Sequence, residues 1–473
     1  MGLKKFQIVF DNPWSTYYSG QPVTGRLLLT VDSPKKIRGI VIHFKGEAAV
    51  KWSETETKTK QSTPAATITS TGNEGNVAAA ATATAAAAAA VGSSIQNVTV
   101  NFSSHEQYFE NKFNLLGGSG ETELPAGDLC YPFATHLPPN LPSSFEGEHG
   151  HVRYTVKAIL DRPWKFDQEA KAAFTVISPL DLNTHQTAKE PVKKEVSKHF
   201  GFCCWSSGPL TMTLSLPVSG YVPGQDIPIT VDVENNSDVP IREVKCTLRK
   251  LLTFTVTSPH KSTKKDDINI GELVLGTVEP HGTSNWTQVL KVPPLPPSNL
   301  NNCSIIDLDY DLKVKAKASK WHRDLQLATP IILGTVPLTS YQPPVFSSGE
   351  KPPGEVNGET SSVPAGTGDA TIGYNMQPSV GPVGIGEPQA SGNSGWNMLP
   401  SDTNAQSQGV PYVQPNVAPQ GPASASLYPD LSPATFSESM FGPKNIKDAG
   451  DNQYTQGNLE YAPRYPVFNF EDK

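Results

Sequence analysis

No apolar run in this 473-residue chain approaches the roughly 18 residues that a helix needs to cross a bilayer. The opening stretch "MGLKKFQIVF" does not read as a signal peptide, because its apolar part is short and alternates with polar residues. Gly2 invites a myristoylation reading, but the pattern wants Ser or Thr at position six and finds Phe6. Cysteine is scarce: there are five, an odd number, and Cys203 and Cys204 are adjacent. That is no disulfide framework, and without a secretion signal it points to a reduced, cytosolic compartment. A basic surplus is missing too. The 38 Lys and Arg against 45 Asp and Glu leave a net charge of −7, which argues against nucleic acid as a partner. Neither a Gly-x-Ser-x-Gly elbow nor a phosphate-cradling loop followed by Lys-Ser/Thr occurs, so no enzymatic constellation is in view. His149 and His151 flank a glycine but have no third metal ligand near them in sequence. His199 with Cys203 and Cys204 is a second such grouping, but vicinal cysteines rarely ligate one zinc together. No cofactor is expected.

What the chain does have is proline and glycine, 43 and 38 of them, more than a uniformly packed protein carries. Short stretches with period-two alternation lie between them. In "FQIVF", "GRLLLTVD" and "IRGIVIHFKG", alternate apolar residues share one face, as they do in strands. From about Ser53 the composition collapses into Thr, Lys and Glu and then "AAAATATAAAAAA". A run with no amphipathic face reads as a disordered insertion, at about 53–95. The stretch "SGQPVTGRLLLTVD" from Ser19 returns as "SGYVPGQDIPITVD" from Ser219. "IRGIVIHFKG" is echoed by "IREVKCTLRK", and "LPPNLPSSFEGEHGHVRYTVKA" by "VPPLPPSNLNNCSIIDLDYDLKVKAKA". Tyr310 stands where Tyr154 stood. A repeat this long is a domain duplication, and short strands with turn signals between them predict a pair of β-sandwiches. Tyr154 and Tyr310 are expected to anchor them through burial and a hydroxyl hydrogen bond. The Lys-rich stretch around 184–198 reads as a linker. After about Ser340 the periodicity stops, and the rest reads as a disordered tail.

These echoed motifs, in this order over most of residues 1–340, resemble the arrestin fold and, more closely, the α-arrestins, or arrestin domain-containing proteins. The resemblance implies an all-β chain. Residues 1–182 would be an N-terminal arrestin sandwich, 183–206 a linker, 207–340 a C-terminal sandwich and 341–473 the tail. It also implies a non-catalytic adaptor that meets the cytoplasmic parts of membrane proteins and serves their ubiquitination and trafficking. Such a protein would be cytoplasmic, recruited to plasma membrane and endosomes. Tails in this family usually carry Pro-Pro-x-Tyr motifs for the WW domains of HECT-type ubiquitin ligases. Here the motifs are degenerate: Pro343, Pro344 and Phe346 in "PPVF", with Phe for Tyr, and Pro463 and Tyr465 in "APRY", with one Pro missing. "LYPDL", with Leu427, Tyr428, Pro429 and Leu431, fits the pattern bound by ALIX-type sorting adaptors and also the Tyr-x-x-apolar signal read by clathrin adaptors. Lys35, Lys36 and Arg38 form a basic turn suited to a phosphorylated tail or an anionic lipid, and acylation of Cys203 or Cys204 would add peripheral membrane affinity. Two other readings stay open: a retromer-type or structural sandwich protein that binds cargo and recruits no ligase, and, more remotely, a metal-dependent hydrolase.

Overall fold

The computed structural model describes residues 2–61, 93–202, 205–319, 321–341 and 435–470. The first half holds β1 (Leu3–Phe10), β2 (Thr16–Tyr18), β3 (Pro22–Val31), β4 (Lys35–Gln61), β5 (Ser93–Leu124), β6 (Gly127–His136), β7 (Phe145–Glu146), β8 (Gly150–Asp161) and β9 (Gln168–Ile177). One helical turn, α1 (Gln186–Lys189), follows. The second half holds β10 (Val192–Phe202), β11 (Trp205–Leu216), β12 (Gly220–Tyr221), β13 (Asp226–Asn235), β14 (Ile241–Val256), β15 (Ser262–Val278), β16 (Gly282–Lys291), β17 (Ile306–Ala318) and β18 (Leu325–Leu333).

The duplication read from the echoed motifs is written in the sheet order. In the first sandwich the strands run β2-β9-β8-β4-β5 in one sheet and β1-β3-β6 in the other. In the second they run β12-β18-β17-β14-β15 and β10-β11-β13-β16. The larger sheets correspond strand for strand, and the smaller ones differ only by the added edge strand β10. Period two explains both cores. On β3, Val23, Leu27, Leu29 and Val31 point inward, and on β13 Ile227, Ile229, Val231 and Val233 do the same. Phe44, Phe133 and Phe174 meet edge-on in the first core, with centroids 5.7 and 6.2 Å from Phe44, the arrangement that aromatic quadrupoles favour. Tyr154 and Tyr310 are both buried, and each donates its hydroxyl to a proline carbonyl, Pro142 at 2.6 Å and Pro296 at 2.9 Å. Those prolines occupy matching places in the echoed Pro-rich loops.

Three boundaries differ from the sequence reading. The insertion expected at about 53–95 is narrower on both sides. Strand β4 continues through Gln61 and pairs back with β5 from Ser93, because the Thr-rich stretch "SETETKTKQ" suits a ladder; residues 62–92, with the alanine run, lie outside the described residues. The Lys-rich stretch read as a linker is instead β10 from Val192 onward, paired with β11. Its alternation was concealed by lysine: Val192, Lys194, Val196, Lys198 and Phe200 share the more buried side. Lys194 and Lys198 lay their stems along the sheet and reach the carbonyls of Ala328 and Arg323. Lysines on an edge strand also deter pairing with other chains. The third difference is the tail. Residues 435–470 form β19 (Thr435–Glu438), β20 (Lys444–Asn445), β21 (Thr455–Gly457), β22 (Glu460–Tyr461) and β23 (Arg464–Val467), and they pack on both sandwiches. Residues 342–434 and 471–473 lie outside the described residues.

The paired tyrosine anchors lead to an expected outcome. Tyr154→Phe and Tyr310→Phe each leave a buried proline carbonyl without its donor, which costs about 1–3 kcal/mol. Urea denaturation should show a similar loss for both variants. A loss in one variant alone would mean that the two bonds are not equivalent.

Candidate functional site

Most of the short motifs read from the tail fall outside the described residues: Pro343, Pro344 and Phe346, and Leu427, Tyr428, Pro429 and Leu431. So do Cys203 and Cys204. Lys35, Lys36 and Arg38 are placed at the start of β4 rather than in a turn; Lys36 and Arg38 are exposed, and Arg38 pairs with Asp161 at 2.7 Å. His149 lies against the Phe254 ring and 3.6 Å from Asp266. Among the described residues no cluster of three metal-ligating side chains occurs. The remaining motif, "APRY", is inside the structure but not where a recruiting motif would be offered. Tyr465 sits in β23, only 1% exposed, and donates its hydroxyl to the Ser144 carbonyl at 2.9 Å.

Tyr465 is part of a larger arrangement built on β8 and β9. Alternation sends Tyr154, Val156 and Ala158 of β8 into the core and Arg153, Thr155 and Lys157 to the other face. That face is not left to water. Lys157 is directly opposite Lys171 of β9 in the ladder, and like charges in that position repel. Glu169 of β9 lies 3.5 Å from Lys157, and the tail supplies the rest of the compensation. The Lys171 side chain, 1% exposed, uses all three ammonium protons on it: the Ile446 carbonyl at 2.9 Å, Asp448 at 2.6 Å and Asp451 at 2.9 Å. Lys157 reaches the other oxygen of Asp451 at 2.6 Å and the Gly450 carbonyl at 3.0 Å. Asp451 is thus shared between the two lysines. Burial alone would raise the pKa of Asp451, but its bonds to Lys157 and Lys171 hold it below the usual carboxylate range. Asp448 behaves in the same way, with burial opposed and outweighed by Lys171.

Next to this charge cluster, β21 adds to the open edge of β9 as a parallel strand, with Thr455 opposite Glu169 and Gly457 opposite Lys171. Gly457 has φ +122°, and a Cβ there would fall 2.3 Å from the Lys171 carbonyl, so only glycine lets the backbones approach. Two tyrosines close the arrangement. Tyr461 places its hydroxyl 3.1 Å from Thr175 Oγ1 and 3.2 Å from the Phe174 carbonyl; Tyr465 is the second. Ile446 is fully buried.

The segment also holds the second sandwich. Phe468 donates its backbone N–H to the Pro223 carbonyl at 3.0 Å. Phe441 covers Lys250 of β14, with the ammonium 3.3 Å from the ring centroid, while Phe145 of the first sandwich lies 5.6 Å away. Lys250 is buried, and among the described residues it forms no ion pair. Burial lowers its pKa to about 7, opposed by the charge of Asp266. A desolvated cation kept by ring faces thus marks the junction of the two sandwiches and the tail.

Sequence reasoning missed this site. The signals were an acidic turn, "KDAGDN", and a dense aromatic ending, "YAPRYPVFNF", in a tail otherwise poor in aromatics. Neither says which surface it fits.

The shared carboxylate makes docking of the tail pH-dependent. A depressed carboxylate contributes stability that is complete above its unfolded pKa, about 4, and is lost as pH falls through the lower folded value. Hydrogen-exchange protection of residues 446–465 should therefore hold steady from pH 8 to 5 and fall away below about pH 4. Asp451→Asn, which removes the carboxylate shared by the two lysines and leaves only Asp448 to Lys171 and Glu169 to Lys157, should cost roughly 1–3 kcal/mol of docking and lower that protection at pH 7. Undiminished protection in Asp451→Asn would contradict the role given to this residue.

Comparison with known proteins agrees with this architecture. Residues 6–183 match the family described as arrestin (or S-antigen), N-terminal domain, and residues 206–338 match its C-terminal domain. The chain is 27% identical to arrestin domain-containing protein 17 of Caenorhabditis elegans, over 98% of this chain and 99% of that one. It is 28% identical to arrestin domain-containing protein 4 of Mus musculus, over 72% of this chain and 74% of the relative. With arrestin domain-containing protein 1 of Homo sapiens the identity is 30%, over 49% and 51%. Two sandwiches with matching sheet order, filled by the two domains of one family in their proper sequence, place this chain in the arrestin family, among the α-arrestins.

Proposed function

We propose that this chain is a non-catalytic adaptor that connects membrane-protein cargo to ubiquitination and endosomal sorting machinery from the cytoplasmic side, at the plasma membrane and endosomes. Membership of the arrestin family supports an adaptor role in trafficking. The observation that carries the reading further is the tail. Its last part is anchored on both sandwiches, while its sorting pattern, Leu427, Tyr428, Pro429 and Leu431, stands just before the anchored segment in sequence. A scaffold that holds cargo and a tail that holds sorting adaptors of the ALIX or clathrin type would act as one bivalent unit. Each weak contact would then raise the effective concentration of the other. The basic residues Lys36 and Arg38 offer an exposed edge to an anionic partner or a membrane surface.

The ligase arm is the less direct one. Pro343, Pro344 and Phe346 lack the tyrosine hydroxyl, and Pro463 and Tyr465 are held inside the docked tail. Recognition by WW domains needs an extended segment with its proline and tyrosine exposed, so "APRY" would recruit a ligase only from a released tail. The burial of Tyr465 favours a second reading, a cargo-binding arrestin of retromer type that recruits no ligase.

Capture of the full chain by immobilised WW domains separates the two. On the adaptor reading, wild-type chain is retained weakly, Asp451→Asn about tenfold better because its tail is loosened, and Asp451→Asn with Tyr465→Ala not at all. Absence of retention for all three proteins would leave the ligase-free reading. Pull-down with sorting adaptors should be lost in Tyr428→Ala and Leu431→Ala; retention unchanged in both would remove that arm.

A further inference from the structure

The two sandwiches also meet at a place where the tail takes no part. Strand β5 is the edge of the larger sheet of the first sandwich, and the turn between β14 and β15, residues 257–261, pairs with it. Ser103 donates its N–H to the Ser258 carbonyl at 3.0 Å, and Ser258 donates its own to the Ser103 carbonyl at 3.2 Å. Beside them the Thr257 N–H donates to Ser104 Oγ at 2.9 Å. Ser103 is in turn the ladder partner of Lys51 on β4. Lys51, Ser103 and Ser258 therefore stand in one row across three adjacent segments, and residues in such a row project to the same face. All three are exposed. Trp52 and Phe102, the next residues along, stack on the opposite face with centroids 5.4 Å apart.

The turn reads "SPHK" from Ser258 to Lys261, and residues 257–261 are all exposed. A proline directly after the serine and a cation two residues later form the pattern that proline-directed serine kinases select. Proline has no backbone N–H that needs a partner on the enzyme, and the lysine meets an acidic surface there. The surroundings suit a dianion. From 257 to 265 there is no Asp or Glu, but there are His260, Lys261, Lys264 and Lys265. Among the described residues neither Lys51 nor Lys261 forms an ion pair. The carboxylate on that face of β4, Glu47, is held by Lys45 at 2.7 Å and His105 at 2.5 Å.

We propose that Ser258 is a phosphorylation site for a proline-directed serine kinase, and that its phosphate clamps the two sandwiches by pairing with Lys51 of the first. In the transfer, the γ-phosphorus of ATP forms a bond to Ser258 Oγ, its bond to the ADP oxygen breaks, and the serine proton leaves on the base of the kinase. The phosphate brings about −1.5 to −2 charges at pH 7 and three strong acceptor oxygens. Neighbouring strands lie about 5 Å apart, so a lysine stem and a phosphoserine extended toward each other span the one strand between Lys51 and Ser258. The clamp is independent of the adaptor reading, because it concerns the junction of the sandwiches and not the partners they hold.

The same pattern occurs once more among the described residues, as "SPKK" from Ser33, in the turn between β3 and β4 of the first sandwich. It supplies the comparison. The full chain is incubated with ATP and a kinase of the cyclin-dependent class, the sites are mapped by mass spectrometry, and hydrogen exchange is followed on peptides covering 102–105 and 256–260. Ser258 should take phosphate. Pro259→Ala should slow the transfer at least tenfold, and Ser33→Ala should leave it unchanged. In Ser33→Ala chain phosphorylated at Ser258, both peptides should exchange at least fivefold more slowly than in the unmodified chain. Phosphate on Ser33 in Ser258→Ala chain should leave them as they were. Lys51→Met, a change at an exposed position, should accept phosphate at Ser258 and lose the slowing. A folded chain that takes no phosphate on Ser258 overturns the proposal, and phosphorylation of a synthetic peptide of residues 252–266 in the same assay would trace that failure to the fold. Phosphorylated chain that exchanges as fast as the unmodified chain, or faster, overturns the clamp. Slowing that persists in Lys51→Met overturns the pairing with Lys51.

Discussion

Two lysines facing each other across neighbouring strands cannot both be buried unless something negative lies between them. Lys157 and Lys171 are fixed in that position by the β8–β9 ladder, and the ladder is fixed in turn by the core face of the same strands, where Tyr154 packs against Phe174. The hydrophobic pattern thus forces an electrostatic problem onto the opposite face. Asp451, shared by both ammonium groups, and Asp448 solve it. The rest of the tail's course follows: β21 on the edge of β9, the two tyrosines beyond it, and Phe468 against Pro223.

The duplication gives the chain two versions of one sandwich with different fates for their outer faces. In the first, the outer face of β8 and β9 is covered by the tail. In the second, the corresponding strand β17 carries Lys313, Lys315 and Lys317 on the face away from the core, and Lys315 pairs locally with Asp324 at 2.8 Å. The same ancestral pattern serves one copy as a docking surface and the other as a solvated face with its own counter-charge. Lys250 and Phe441 tie the two together. A buried cation with no ion pair among the described residues is costly, and the ring of Phe441 lowers that cost only while the tail is in place. Docking of the tail and the junction of the two sandwiches therefore meet at Lys250.

Much of the fold was legible because β-strands write their burial into sequence with period two. "GRLLLTVD" and "DIPITVDVEN" show it plainly, and Tyr154 and Tyr310 could be paired from the echo alone. Legibility failed where long polar side chains took part in burial. In β10, Lys194 and Lys198 occupy inward positions and cover the sheet with their stems, so the strand looked like a linker. In β4, "SETETKTKQ" continues a ladder with little apolar content, so the insertion looked wider than it is. The candidate site was legible only in fragments. Tyr465 was noticed as a degenerate motif, but nothing near it in sequence reveals Ser144 as its partner.

The amino-acid sequence by itself determined that this is a duplicated, all-strand arrestin-family chain, because alternation, turn residues and the repeated Pro-rich loops are local properties. Only the tertiary structure decided the use of the last 40 or so residues. Their few apolar and acidic groups cannot form a core among themselves. They order only against a surface that already holds two lysines facing each other, an open strand edge and closed sites for tyrosine, and that surface is assembled from residues nearly 300 positions away.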